Sequence, residues 1–133
     1  MVKSAPTRLL HTMLRVRDLE ASLRFYTGLL GMTLRRRKEF DSGRFTLAFL
    51  GFGPEGDDSE IELTWNWDRS EPYETGNAFG HLALATDDIH GLCASLEAAG
   101  VPIPRPPGPM KHGGASIAFI TDPDGYAIEL IEV

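Results

Sequence analysis

Polar and apolar residues alternate along HTMLRV (11–16) and again along HLALAT (81–86). A period of two marks a strand with one buried face. Each run leads to an aspartate, Asp18 or Asp88, placed as a helix N-cap; its carboxylate accepts from backbone N–H groups of the first turn. Apolar residues then recur at helical spacing, at Leu19, Leu23, Tyr26 and Leu30 after the first aspartate and at Ile89, Leu92 and Leu96 after the second. Gly31 and Gly100 stand where a helix C-terminus takes glycine. Three strands are predicted after each helix, over 32–39, 44–52 and 59–65 and then over 101–105, 115–121 and 126–132. GPEGDD (53–58) and DPDG (122–125) supply the turns between the last two strands of each set.

The halves are copies of one unit. Positions 11 and 81, 18 and 88, and the triplets LAF (47–49) and IAF (117–119) share one offset. The IEL triplets at 61–63 and 128–130 sit slightly off it, as a small net deletion in the second hairpin would produce. The expected fold is therefore α+β, with two tandem βαβββ modules at about 8–67 and 79–133. They share a single domain over 8–133, and residues 1–7 read as an unstructured extension. Two motif matches dissolve in this frame. GFGPEG (51–56) fits G-x-G-x-x-G, but an alternating strand follows it where a dinucleotide loop needs a helix. DPDG lacks the remaining ligand positions of a calcium loop.

Composition narrows the function classes. A chain of 133 residues suits one domain. The net charge of −6 argues against nucleic acid as the main partner, because phosphate binding needs a positive field. The one basic run, RRRK at 35–38, reads as a solvated edge strand blunted by charge. No apolar stretch approaches the roughly 20 residues that span a bilayer, and the first residues lack the apolar core of a secretory signal. A single cysteine, Cys93, excludes an internal disulfide framework. The cytoplasm is the expected compartment.

Four residues do not fit a plain core. Alternation puts His11, Met13 and Arg15 on one face of the first strand, and His81 on the matching face of its copy. Glu62 points away from Ile61 and Leu63, as Glu129 does from Ile128 and Leu130. Taken singly, each is more often a satisfied or solvated polar residue than a ligand. Their equivalence across the repeat changes the weighing. Glu129 also shares its face with Ala127 and Ile131, where an unpaired carboxylate is costly. Two imidazoles and two carboxylates form a mixed N/O set suited to an octahedral divalent ion with positions left open.

LLHTMLRVRDLEASLRFYTGLLGMTL, IELTWNW, FGHLAL and AFITDPDGYAIELIE together resemble glyoxalase I of the vicinal oxygen chelate superfamily, from Arg8 to Glu132. The resemblance implies metal ligands at His11, Glu62, His81 and Glu129. It implies curved half-barrel modules completed by homodimerisation, with His11 and Glu62 of one chain meeting His81 and Glu129 of the other. It implies a substrate, the hemithioacetal of methylglyoxal and glutathione, isomerised through an ene-diolate to S-lactoylglutathione. Glu129 matches the family's principal base and Glu62 the carboxylate on the opposite substrate face. Arg15 and Asn66 match its γ-glutamyl contacts, and Lys111, in a glycine-containing loop, matches a contact to the glycyl carboxylate. Ser95 stands where the family often carries an arginine for that same carboxylate. The short, insertion-free chain resembles the bacterial type that uses nickel or cobalt in preference to zinc. The superfamily also holds extradiol dioxygenases, with two histidines and one carboxylate around iron, and metal-free drug-binding dimers. The four-ligand set counts against both.

Overall fold

The computed structural model describes residues 4–56 and 58–133. The chain divides into two compact units, Met1–Glu71 and Pro72–Val133. The first holds β1 (His11–Val16), α1 (Leu19–Leu23), β2 (Thr33–Phe40), β3 (Phe45–Gly51) and β4 (Glu60–Asn66). The second repeats the order with β5 (Leu82–Thr86), α2 (Ile89–Ala98), β6 (Arg105–Pro109), β7 (Ser116–Thr121) and β8 (Ala127–Glu132). Residues 4–10 form neither helix nor strand; the rest of the expected extension lies outside the described residues.

Each unit contains one open mixed sheet, ordered β1-β4-β3-β2 in the first and β5-β8-β7-β6 in the second. The first and fourth strands of each pair in parallel, and the remaining pairings are antiparallel. Parallel pairing needs a crossover, which the helix supplies. Alternation decides the faces as the sequence requires. In the first unit Leu14, Val16, Ala48, Leu50, Ile61 and Leu63 are buried with Leu19, Leu23 and Tyr26 of the helical segment. In the second Ala118, Ile120, Ile128 and Leu130 are buried with Ile89, Cys93 and Leu96. Each such large side chain contributes about 1.5–3 kcal/mol on leaving water. The opposite faces mix polar residues such as Glu62 and Glu129 with apolar ones such as Phe49, Phe119 and Ile131.

Both aspartates cap as expected: Asp18 Oδ1 accepts from Ala21 N at 3.1 Å, and Asp88 Oδ1 from Gly91 N at 3.0 Å. The first helix departs from the simple α periodicity predicted for it. After Leu23 it widens into a π-helical stretch over Arg24–Leu29, closed by Leu30 N donating to Phe25 O at 3.0 Å. The wider turn buries the neighbours Phe25 and Tyr26 together, their rings edge-to-face at 5.0 Å. Gly31, at φ 76°, then turns the chain out of the helix.

The strand predicted over 101–105 lies instead at Arg105–Pro109. Val101 N is taken by the end of α2, donating to Leu96 O, and the pairing with β7 runs instead through Arg105, Gly108 and Pro109. The DPDG stretch is the turn it was predicted to be, with Asp122 Oδ1 accepting from the backbone N–H of Asp124 and Tyr126 at 2.9 and 2.8 Å. GFGPEG likewise runs from the last residue of β3 into the turn before β4, outside any helix. No helix among the described residues is long and apolar enough to cross a membrane.

Candidate metal centre

The register of each sheet brings one histidine to one glutamate. Met13 pairs with Glu62 across β1 and β4, and Ala83 pairs with Glu129 across β5 and β8. Each histidine stands two residues before its glutamate's partner, His11 on β1 and His81 just ahead of β5. His11 Nε2 lies 3.3 Å from Glu62 Oε1, and His81 Nε2 lies 3.2 Å from Glu129 Oε1. The third strand completes the repeat: Phe49 pairs with Glu62 and Phe119 with Glu129. Their rings meet His11 and His81 edge-on, at 5.7 and 5.3 Å between centroids. The imidazoles are about 40% exposed, at 38% and 42%, while the carboxylates are mostly covered, at 12% and 16%. Two donors per unit are thus held in one orientation and open to a ligand. Within the described residues no three His, Cys, Asp or Glu side chains gather as a metal cluster, so each unit offers a pair.

The donor chemistry fits a divalent ion. A neutral imidazole nitrogen and a carboxylate oxygen at this spacing accept a cation between them, and two such pairs give an N₂O₂ set with room for further oxygens.

The expected substrate contacts fall at three places. Arg15 is exposed on the same face of β1 as His11 and pairs in register with Thr64. Asn66 ends β4, half-buried. Lys111 is exposed in the turn between β6 and β7, where Gly113 N donates to Met110 O at 3.0 Å. Arg15 and Asn66 lie along the two strands that carry the His11–Glu62 pair, whereas Lys111 belongs to the second unit. His90 and His112 are exposed, and neither belongs to a metal-binding cluster among the described residues.

The basic run corrects its prediction. β2 is an edge strand, but Arg35 is not solvated: its side chain is 1% exposed. It donates to Phe52 O at 3.1 Å, Pro54 O at 2.9 Å, Asp58 Oδ2 at 3.3 Å and Glu60 Oε2 at 3.2 Å. Arg36 also binds Glu60 and pairs with Glu55. Hydrogen bonds from Arg36 and then Arg35 hold the Glu60 carboxyl below its usual range, against the opposing effect of burial. Asp58, bonded by Arg35, is lowered as well. Arg36, Glu55, Asp58 and Glu60 of this cluster line a cavity of about 200 Å³ together with His11. A groove of about 530 Å³, lined by Arg17, Glu20, Arg37 and Trp65 among others, includes neither member of the His11–Glu62 pair. The sequence held one signal for the cluster: Glu60 stands two residues before Glu62, hence on its face, with two arginines on a neighbouring hairpin.

These paired units define a class. Residues 8–130 match the Glyoxalase/Bleomycin resistance protein/Dioxygenase superfamily, and the chain belongs to it. The units are the open, curved half-barrel modules of that fold. Among its relatives the chain is 54% identical to a probable lactoylglutathione lyase of Synechocystis, over 93% of this chain and 94% of that one. It is 55% identical to lactoylglutathione lyase of Neisseria meningitidis, over 94% and 90% of the two chains. It superimposes on glyoxalase I of Zea mays with a TM-score of 0.88 at 44% identity; the match takes in 93% of this chain but only 44% of the longer maize chain.

Proposed function

We propose that the chain is a lactoylglutathione lyase, isomerising the hemithioacetal of methylglyoxal and glutathione to S-lactoylglutathione. The observation that carries this reading is the duplicated His–Glu pair, at 3.3 and 3.2 Å, in a chain more than half identical to lactoylglutathione lyases along nearly its whole length.

The reaction moves one proton from the sulfur-bearing carbon to the neighbouring carbonyl carbon. A second passes from the hydroxyl oxygen of the first carbon to the carbonyl oxygen of the other, with no net change in atoms. A carboxylate must take the proton from the carbon bearing sulfur, and the resulting acid must return one to the neighbouring carbonyl carbon. Glu129 is our base. Its strand neighbours on the same face, Ala127 and Ile131, carry no charge, and His81 Nε2 lies 3.2 Å from its Oε1. Glu62 takes the matching place on the opposite substrate face. His11, Glu62, His81 and Glu129 hold one divalent metal. A metal held there would acidify the substrate C–H and stabilise the negative charge that develops on oxygen. Nickel or cobalt is our assignment, because zinc has no d-electron preference for six ligands and settles readily at fewer.

A pair of donors does not enclose an ion, so the site is completed by homodimerisation. The His11–Glu62 pair of one protomer joins the His81–Glu129 pair of its partner. Arg15 and Asn66 bind the γ-glutamyl end of the thiol, and Lys111 binds its glycyl carboxylate by a charge-assisted bond. With its single cysteine, the enzyme is assigned to the cytoplasm, where methylglyoxal detoxification needs it.

The test is S-lactoylglutathione formation by metal-stripped protein refilled separately with nickel, cobalt and zinc. Activity restored by nickel or cobalt is expected. No activity with any metal at confirmed occupancy overturns the assignment.

A further inference from the structure

Met13, Glu62, Phe49 and Arg36 form one register row across the first sheet. The β2–β3 register shifts between Leu34 and Arg36, and the irregularity lets two consecutive arginines share the face that carries His11. Arg35 lies over Gly51, where a Cβ would overlap its guanidinium. Both arginines converge on Glu60. Arg36 grips it with both arms of its fork, Nη2 to Oε1 at 2.6 Å and Nη1 to Oε2 at 3.3 Å. So held, the guanidinium carbon of Arg36 lies 4.6 Å from the centroid of the Phe49 ring, and that ring meets His11. An unbroken line of contacts runs from Glu60 through Arg36 and Phe49 to His11.

The second unit keeps the ring and lacks the rest of this line. Phe119 meets His81 edge-on, but Ala127 stands where Glu60 would be. Arg105, the register partner of Phe119, donates instead to backbone carbonyls of Gly108, Pro109 and Ile117.

We propose that Arg36, fixed by Glu60, is a positioning residue for His11: it holds the Phe49 ring, and the ring holds the imidazole with Nε2 toward Glu62. The proposal rests on the metal-site reading above. A ligand already in its bound rotamer loses less entropy on coordination, and groups supporting a ligand from behind tune metal affinity by about 10–100-fold.

The test uses the full chain and nickel alone, with affinity read by competition against a chelator. Arg36→Met is expected to weaken nickel binding about tenfold. At saturating nickel, its KM for the hemithioacetal should stay at the wild-type value. Phe49→Leu should weaken nickel similarly, and the double variant should be no weaker than the weaker single, since both break one line. Arg36→Lys, lacking the planar fork, should not restore affinity. Should Arg36→Met fail to fold, Phe49→Leu and Glu60→Gln carry the same expectation. Unchanged nickel affinity, fully additive effects, or a raised KM with affinity intact would overturn the proposal. If the wild-type chain takes up no nickel, cobalt or zinc, the metal-site reading fails, and this inference with it.

Discussion

The two units carry the same pair in different company. In the first, the glutamate beside the histidine shares its face with Glu60, held by the covered Arg35 and the partly exposed Arg36. In the second, it shares its face with Ala127 and Ile131. Duplication thus preserved the donors and the edge-on aromatic ring while the surroundings diverged. Glu62 thus has a charged neighbour on its own strand face, and Glu129 has only apolar ones. In the proposed function the first half anchors the metal and the second supplies the base.

The largest expected effect tests that division. Glu129→Gln should retain the fold and most metal affinity yet lose at least about a hundredfold in turnover. Glu62→Gln should cost less turnover. Rates of S-lactoylglutathione formation at matched metal occupancy compare them; equal losses would make the halves interchangeable and break the comparison.

Next comes the metal. At confirmed full occupancy the nickel- or cobalt-loaded enzyme should turn over and the zinc-loaded enzyme should be nearly silent. Affinity alone is a poor guide, because zinc can bind well without supporting the geometry. Equal turnover with zinc would remove the metal assignment and leave the reaction standing.

A stability contrast sharpens the comparison further. Gly51→Ala would force its new methyl into the Arg35 guanidinium, which is pinned by Asp58, Glu60 and backbone carbonyls and cannot swing aside. About 1–3 kcal/mol should be lost in urea unfolding. In the second unit Gly108→Ala places a methyl 3.7 Å from Arg105 Nη1, an ordinary contact, and should be close to neutral. Matching losses would mean that the arginines serve both sheets alike.

The smallest effect concerns pH. The folded chain holds the Glu60 carboxyl below its ordinary value of 4.5. Its contribution is therefore present above that value and is lost as pH falls through the lower, folded one. The Tm difference between wild type and Glu60→Gln should be full at neutral pH and shrink below about pH 4.5. A difference that persists at pH 2 would contradict this.

Much of this was legible in the sequence because it depends on period and repetition. Alternation in HTMLRV and IELTW fixed which face His11 and Glu62 occupy, and the second copy repeated the statement at His81 and Glu129. What escaped depends on irregularity. The shift beside Arg35 breaks the two-residue period, so alternation cannot show that Arg35 and Arg36 share a face. The π-helical stretch after Leu23 breaks the helical period in the same way. β6 lies further along the chain than the apolar pattern predicts, because Val101 is tied to the end of α2 and the pairing with β7 runs through Arg105, Gly108 and Pro109. Phe49 and Phe119 were visible only as markers of the repeat; their contact with the histidines needs the register of the third strand.

The central claim is that each unit supplies half of a site completed across two protomers. Mixing an inactive His11→Ala chain with an inactive Glu129→Ala chain tests it directly. In the heterodimer one site collects both lesions and the other has none. After verified subunit exchange, statistical mixing should restore about a quarter of wild-type activity, with S-lactoylglutathione as product. Exchange without any recovery would place all four ligands within one chain and contradict the account.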